Sequence, residues 1–259
     1  MMLWLVAAAW TTAWAASPTR WIDLTYPFDE KTVYWPTEKG FEHQKGFEGV
    51  TEKGYFYSAH RFAAAEHGGT HMDAPSHFYR GRHSVEEVPL DRLIGPAVVV
   101  DARERVAANP DYEIQLEDLQ AWERRWGRLP DGAIVLFRTG FAKFWPDRKR
   151  YLGTEERGAT AVSKLHFPGL HPKAAQWLVR QRSVKAVGID TASIDHGPSE
   201  RFETHVALCS ANVPTFENLA NLDQLPNTGL TVVALPMKIR GGSGAPLRIV
   251  ATVGQVTGK

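Results

Sequence analysis

Twelve consecutive residues, His67-Gly68-Gly69-Thr70-His71-Met72-Asp73-Ala74-Pro75-Ser76-His77-Phe78, bring together three of the chain's ten histidines and one carboxylate. Neutral imidazole and carboxylate are the donors that zinc, manganese and iron accept when no thiolate is offered. Three protein ligands from such a stretch leave positions open for water or substrate. A cation there lowers the pKa of its bound water to about 7 and polarises a carbonyl. The residue types therefore point to metal-assisted hydrolysis at neutral pH. Gly68 and Gly69 permit a sharp turn between ligands, and Pro75 stiffens the exit.

A second group comprises Asp190-Thr191-Ala192-Ser193-Ile194-Asp195-His196-Gly197, then His205 and Glu217. Alone it is weaker, because Asp190 and Asp195 suit turns or helix caps, and His205 and Glu217 suit ordinary structural positions. The single cysteine, Cys209, rules out an intramolecular disulfide and a thiolate zinc site, so any metal uses His and carboxylates.

The elements that must position these residues are interleaved. Short runs rich in Val and Ile predict strands over 97–100, 133–137, 186–189, 231–235 and 248–253. Helical spacing predicts helices over 116–126, where Leu116, Leu119 and Trp122 share a face, and over 172–182, where Ala174, Trp177 and Leu178 do. The Trp residues of these helices are expected in the core. Residues 56–66 read as a strand, with the histidine cluster on a loop at its end, since Gly68-Gly69 and Asp73-Ala74-Pro75 interrupt any helix. This alternation implies an α/β or mixed α+β fold.

Of 259 residues, 43% are hydrophobic and 23% charged, enough apolar material for one large domain. The net charge of +1, with no long Lys/Arg run, excludes a nucleic-acid footprint. Arg148-Lys149-Arg150 reads as a solvated surface cluster. Residues 1–16 form an apolar stretch with Ala13-x-Ala15 as a cleavage site, so they are expected to be a signal peptide, and residues 17–259 the functional domain. The expected location is periplasmic or extracellular, or cytoplasmic if the leader is not functional. The stretch is too short for a membrane span, which needs about 20 apolar residues, so no membrane association is expected after leader removal.

The motif His67-x-Gly69-Thr70-His71-x-Asp73-Ala74-Pro75-x-His77-Phe78 resembles that of the cyclase family of metal hydrolases, which includes bacterial kynurenine formamidase and isatin hydrolase. Similarity extends through Trp35-Pro36, Arg138-Thr139-Gly140, Pro168-Gly169-Leu170, Gly188-Ile189-Asp190-Thr191, Glu217-Asn218-Leu219-Ala220-Asn221-Leu222, Leu235-Pro236-Met237-Lys238-Ile239 and Gly242-Ser243-Gly244-Ala245-Pro246-Leu247-Arg248.

The resemblance implies a swivelling β/β/α-type single domain, a mixed sheet with flanking helices, assembled as a homodimer or homotetramer. It implies one or two divalent ions, zinc or manganese. His67, His71 and Asp73 would bind the first, Asp73 bridging to a second held by His205 and Glu217. His77 would be the general acid/base for metal-hydroxide attack on a small aryl formamide such as N-formylkynurenine. A cyclic amide (an isatin-like lactam or imide) or a cyclisation or dehydration on the same site is the alternative, favoured if the chain is exported. An exported metal-binding scaffold without catalysis is the alternative of another class, against which His77 argues. Tyr34 and Trp35 suit an apolar wall for an aryl substrate, or the core or a subunit interface.

Overall fold

The computed structural model describes residues 20–254. The expected signal peptide lies outside the described residues. Eight strands form the main sheet: β1 (Arg20–Asp23), β2 (His71–Asp73), β3 (Ile94–Asp101), β4 (Ile134–Arg138), β5 (Ala186–Ile189), β6 (Thr215–Glu217), β7 (Leu230–Pro236) and β8 (Gly244–Val253). Their order is β1-β8-β7-β3-β4-β5-β6-β2, and β8 also pairs with β2. Strands β2 to β8 thus close a seven-stranded ring, with β1 attached at β8. This is the expected single α/β domain with a mixed sheet and flanking helices.

The run β3, β4, β5, β6 is parallel. Parallel neighbours need long crossovers, and helices supply them: α1 (Leu116–Trp126), α2 (Pro172–Arg182) and α3 (Glu203–Cys209). The two longer helices have the bounds that sequence periodicity predicts. Helix α1 begins with Asp118 accepting the Gln115 backbone N–H at 2.8 Å and stops at Gly127, whose φ of 90° continues no helix.

The central strands are apolar on both faces because each face meets a different core. Ile134 and Leu136 join Met72, Phe216, Val232 and Ile249 in a cluster drawn from the ring strands, the ring interior. Val135 and Phe137 face the other way and pack with Leu119, Trp122 and Leu178 beneath the helices. Trp122 is core, its Nε1–H donating to the Val99 carbonyl at 2.9 Å, and Trp177 packs partly buried on the same cluster. Trp126 differs from expectation: it is 44% exposed, under the Arg125 guanidinium.

Three further expectations need correction. Residues 56–66 are not one strand but two, Phe56–Ser58 and Arg61–Ala63, pairing with Glu48–Val50 and Glu42–Gln44 in a hairpin outside the main sheet. The break falls where the Gly46 N–H bonds to the His60 ring rather than to backbone. Secondly, His71 and Asp73 are not on a loop: they lie in β2, a three-residue strand held by β6 on one edge and β8 on the other. Thirdly, Arg148 is half-buried, donating to the Tyr34 carbonyl at 2.9 Å, while Lys149 and Arg150 are exposed. Among the described residues no helix is long and apolar enough to cross a membrane.

Candidate metal centre

Register builds the centre. In the β2–β6 ladder His71 is paired with Glu217 and Asp73 with Thr215. Because side chains alternate along strands, these four share one face, toward the helices, while Met72 and Phe216 point into the ring core. His205 comes from α3, and His67 from the loop before β2. The structure thus brings His67, His71, Asp73, His205 and Glu217 to one place.

Asp73 is the centre of the group. Its Oδ1 lies 2.7 Å from His67 Nδ1 and 3.1 Å from His71 Nε2. Its Oδ2 lies 3.0 Å from His205 Nε2 and accepts the Thr215 hydroxyl at 3.0 Å. Glu217 reaches His205 Nε2 at 3.2 Å through Oε1 and His71 Nε2 at 3.6 Å through Oε2.

Each imidazole is turned by a partner on its other nitrogen. His71 Nδ1–H donates to the Gly69 carbonyl at 2.9 Å, an oxygen that also accepts from Asn218 Nδ2 at 2.8 Å. His205 Nδ1 lies 2.6 Å from Asp195 Oδ2. His67 Nε2 lies 2.9 Å from Ser243 Oγ, whose hydroxyl donates to Glu66 Oε2 at 2.8 Å, so the imidazole is the donor toward serine. Outer partners of this kind fix ring tautomer and orientation at metal sites. Gly244, paired with Asp73, leaves room that a Cβ would take from the His67 ring.

Burial opposes charge throughout the group, and the charges answer one another. For His71, Asp73 and Glu217 overcome burial and lift the imidazolium to about 8. His205 is lifted well above the ordinary value, burial being outweighed by Asp195, Asp73 and Glu217. Asp73 is held well below the carboxylate range, against burial, by His71, His67 and His205. Glu217 moves up, through burial and the neighbouring Asp73 charge.

Two ionised carboxylates at this depth cost several kcal/mol each unless compensated. Protonated imidazoles compensate them in the protein alone; a divalent cation does so with the imidazoles neutral and free to ligate. The donor set fits such ions. The ligand atoms of His67, His71 and Asp73 lie within 4.8 Å of one another, as do those of Asp73, His205 and Glu217.

His77 ends a short 3-10 turn (Pro75–His77) and stacks on His67 with ring centroids 3.7 Å apart. Its side chain makes no hydrogen bond or ion pair with a carboxylate among the described residues, and the residue is exposed at the wall of a cavity of about 380 Å³. The protein around it and the three neighbouring imidazoles push its pKa down, with Asp73 pulling the other way. The neutral imidazole is therefore the favoured form of His77 near pH 7.

Tyr34 and Trp35 both line this cavity, as do Phe78 and Phe202. Tyr34 is buried against Gly68, where no Cβ would fit. Phe78 stacks on His205 at 4.3 Å, and Phe202 lies 5.2 Å from Phe78 and 6.2 Å from Trp35. Phe202 has φ 49° and ψ 42°, a left-handed backbone that costs an aromatic residue roughly 1–2 kcal/mol.

The family model described as "Putative cyclase" matches residues 22–196. The chain belongs to the cyclase family. This cyclase-family chain is 32% identical to the isatin hydrolase of Roseibium aggregatum over 77% of its own length and 76% of that protein's. It is also 32% identical to the kynurenine formamidase of Salinibacter ruber, over 71% and 74% respectively. Its fold superposes on isatin hydrolase A from Ralstonia solanacearum with a TM-score of 0.80 and 34% identity, covering 91% of this chain and 92% of the other. Its named relatives are thus hydrolases.

In this cyclase-family chain five supporting residues have roles that the sequence does not settle. Asp195 was ambiguous between turn and cap; it caps α3 by accepting the Thr204 and His205 N–H groups, and it holds the His205 ring as well. Asp190 instead ties down the loop after β4, accepting from Thr139 and Gly140. Thr215, Ser243 and Glu66 carried no signal of their own, although Ser243 falls within a glycine-rich motif that the family resemblance marks.

Proposed function

We propose that this chain is a metal-dependent hydrolase that opens the C–N bond of a small, uncharged aryl amide, an isatin-like lactam in preference to N-formylkynurenine. The carrying observation is the lining of the cavity. Trp35, Phe78 and Phe202 supply aromatic wall, Glu38 and Glu66 stand at its side, and no Lys or Arg is among the described lining residues. The α-carboxylate of N-formylkynurenine finds no Lys or Arg among these lining residues, and only its α-ammonium would find a partner in Glu38 or Glu66, whereas an uncharged lactam needs neither.

His67, His71 and Asp73 would hold one divalent ion and Asp73, His205 and Glu217 a second, with zinc or manganese suited to these donors. A bound ion supplies a water acidic enough to ionise near neutrality and polarises the amide carbonyl. The protein does the rest. The aromatic wall orients the ring and keeps bulk water from the carbonyl face. Neutral His77 takes a proton from the attacking water and returns it to the departing nitrogen. The amide C–N bond breaks, the carbonyl carbon gains the oxygen of water, and the nitrogen gains the proton.

A second reading, an aryl formamide such as N-formylkynurenine, is favoured by the relatives named kynurenine formamidase. Comparing kcat/KM for isatin and N-formylkynurenine on the metal-loaded chain separates the two. Higher kcat/KM for isatin is expected; the reverse order would hand the site to the formamide.

We propose a homodimer or homotetramer as well, with the hairpin over residues 42–63 as its contact surface. Phe47, Val50, Phe56, Tyr57 and Phe62 are each more than half exposed there, a patch that monomers seldom leave open. Light scattering during size exclusion checks this: a monomer mass would discard the assembly.

A further inference from the structure

Phe202 is the residue whose backbone the fold does not explain. Among the described residues the other non-glycine positions with positive φ are Ser183, at the end of α2, and three asparagines. Asparagine visits the left-handed region readily, and a helix C-cap commonly requires it. Phe202 instead precedes a helix, where an extended backbone is the rule. Its side chain caps nothing, because Asp195 already accepts the Thr204 and His205 N–H groups, at 3.0 Å each.

Core burial does not repay the strain either, since Phe202 is only partly buried and lines the cavity. The turn around it is braced. The Phe202 N–H donates to Ser199 Oγ at 3.2 Å, and its carbonyl accepts from Val206 N at 3.0 Å. The same Asp195 that caps α3 holds the His205 ring, so the start of α3, with the Phe202 backbone next to it, is anchored to the candidate metal centre. The Phe202 ring stands with Phe78 and Trp35 at tilts of 38° and 58°, centroids 5.2 and 6.2 Å away, and all three line the cavity.

We infer that Phe202 is a specificity-determining residue, its ring held by a strained left-handed turn as one wall of an aryl subsite beside His205. It selects planar rings over aliphatic amides. This rests on the reading of the site as one for aryl amides.

The test uses the full chain with Phe202→Gly, Phe202→Ala and Phe202→Tyr. Isatin is the probe, read both as binding to the metal-free protein by quenching of tryptophan fluorescence and as KM on the metal-loaded enzyme. Loss of one aromatic contact predicts that Gly and Ala weaken binding and raise KM by about tenfold alike, with kcat changing less, and that Tyr preserves both. Stability separates what affinity does not: Phe202→Gly melts above Phe202→Ala, because only glycine relieves the turn. Wild-type affinity in the Gly and Ala variants would overturn the inference, as would a Tm of Phe202→Gly no higher than that of Phe202→Ala. If the wild-type chain binds isatin without hydrolysing it, the hydrolase reading fails while the ratio of binding constants still decides the role of Phe202. Absence of isatin binding by the wild-type chain removes both.

Discussion

Asp195 grips His205 twice, accepting its backbone N–H at 3.0 Å and lying 2.6 Å from its ring Nδ1, both through Oδ2. One carboxylate therefore sets where α3 starts and which way the His205 ring faces. Burial alone would raise the Asp195 pKa, but the His205 contacts turn the shift downward from its ordinary value.

Replacing Asp195 with Ala removes both functions. Metal affinity should fall by about 10- to 100-fold, as for other outer partners of metal-binding histidines. Loss of the cap should cost about 1 kcal/mol of stability. Asp195→Asn keeps an acceptor for the cap and should recover most of the stability but not the metal affinity. Chelator competition and thermal melting measure the two; unchanged affinity in Asp195→Ala would detach Asp195 from the centre.

Metal loading near pH 7 should release protons, because His71, with a pKa raised to about 8, and His205, raised well above its ordinary value, carry protons in the metal-free chain. The sign for stability follows. A group raised from 6.5 to about 8 on folding stabilises the metal-free protein fully below pH 6.5 and loses that contribution as pH rises through about 8. Metal affinity should therefore climb across that window while the Tm of the metal-free chain falls. Calorimetry of metal binding in buffers of different ionisation enthalpy counts the protons; none released at pH 7 would refute the assignment.

His77→Ala should lower kcat by about 10²- to 10⁴-fold, the range for a lost general acid/base. Its metal content should match wild type, since His77 stacks on His67 rather than facing Asp73. A parallel loss of metal would make His77 a ligand instead. Because the surroundings of His77 favour its neutral form, no acid limb from this residue is expected in kcat/KM between pH 6.5 and 8.

Gly244→Ala places a methyl group where the His67 imidazole lies, without disturbing any backbone hydrogen bond. The ring must turn away from Asp73, and the affinity for the first ion should fall while β8 keeps its pairing. Metal titration with circular dichroism checks both halves, and an unaltered affinity would show that His67 is not a required ligand.

Much of this was legible in the sequence where local pattern and tertiary structure agree. Helices α1 and α2 carry their own apolar faces and stop signals, and strands β3, β4 and β5 are continuous apolar runs covered on both sides. His67, His71 and Asp73 stood out as candidate ligands because imidazoles and a carboxylate are clustered within a few residues, whereas His205 and Glu217, distant in sequence, were reachable only through the family resemblance. Strand β2 was missed because three residues hold no periodic signal and take their conformation from β6 and β8. The hairpin over residues 42–63 was misread because its aromatic side chains suit a buried strand and its turns are set by single contacts such as Gly46 to His60. Phe202 left no trace, since nothing in the local sequence marks an aromatic residue for a left-handed backbone before a helix.

The most direct test is to measure isatin hydrolysis by the purified chain as metal is stripped with a chelator and restored with zinc or manganese, with bound metal counted by mass spectrometry at each point. Turnover that disappears with the metal and returns in proportion to occupancy of His67, His71, Asp73, His205 and Glu217 is the predicted result. Turnover that persists in the metal-free chain, or full occupancy with no turnover of any aryl amide, would contradict it.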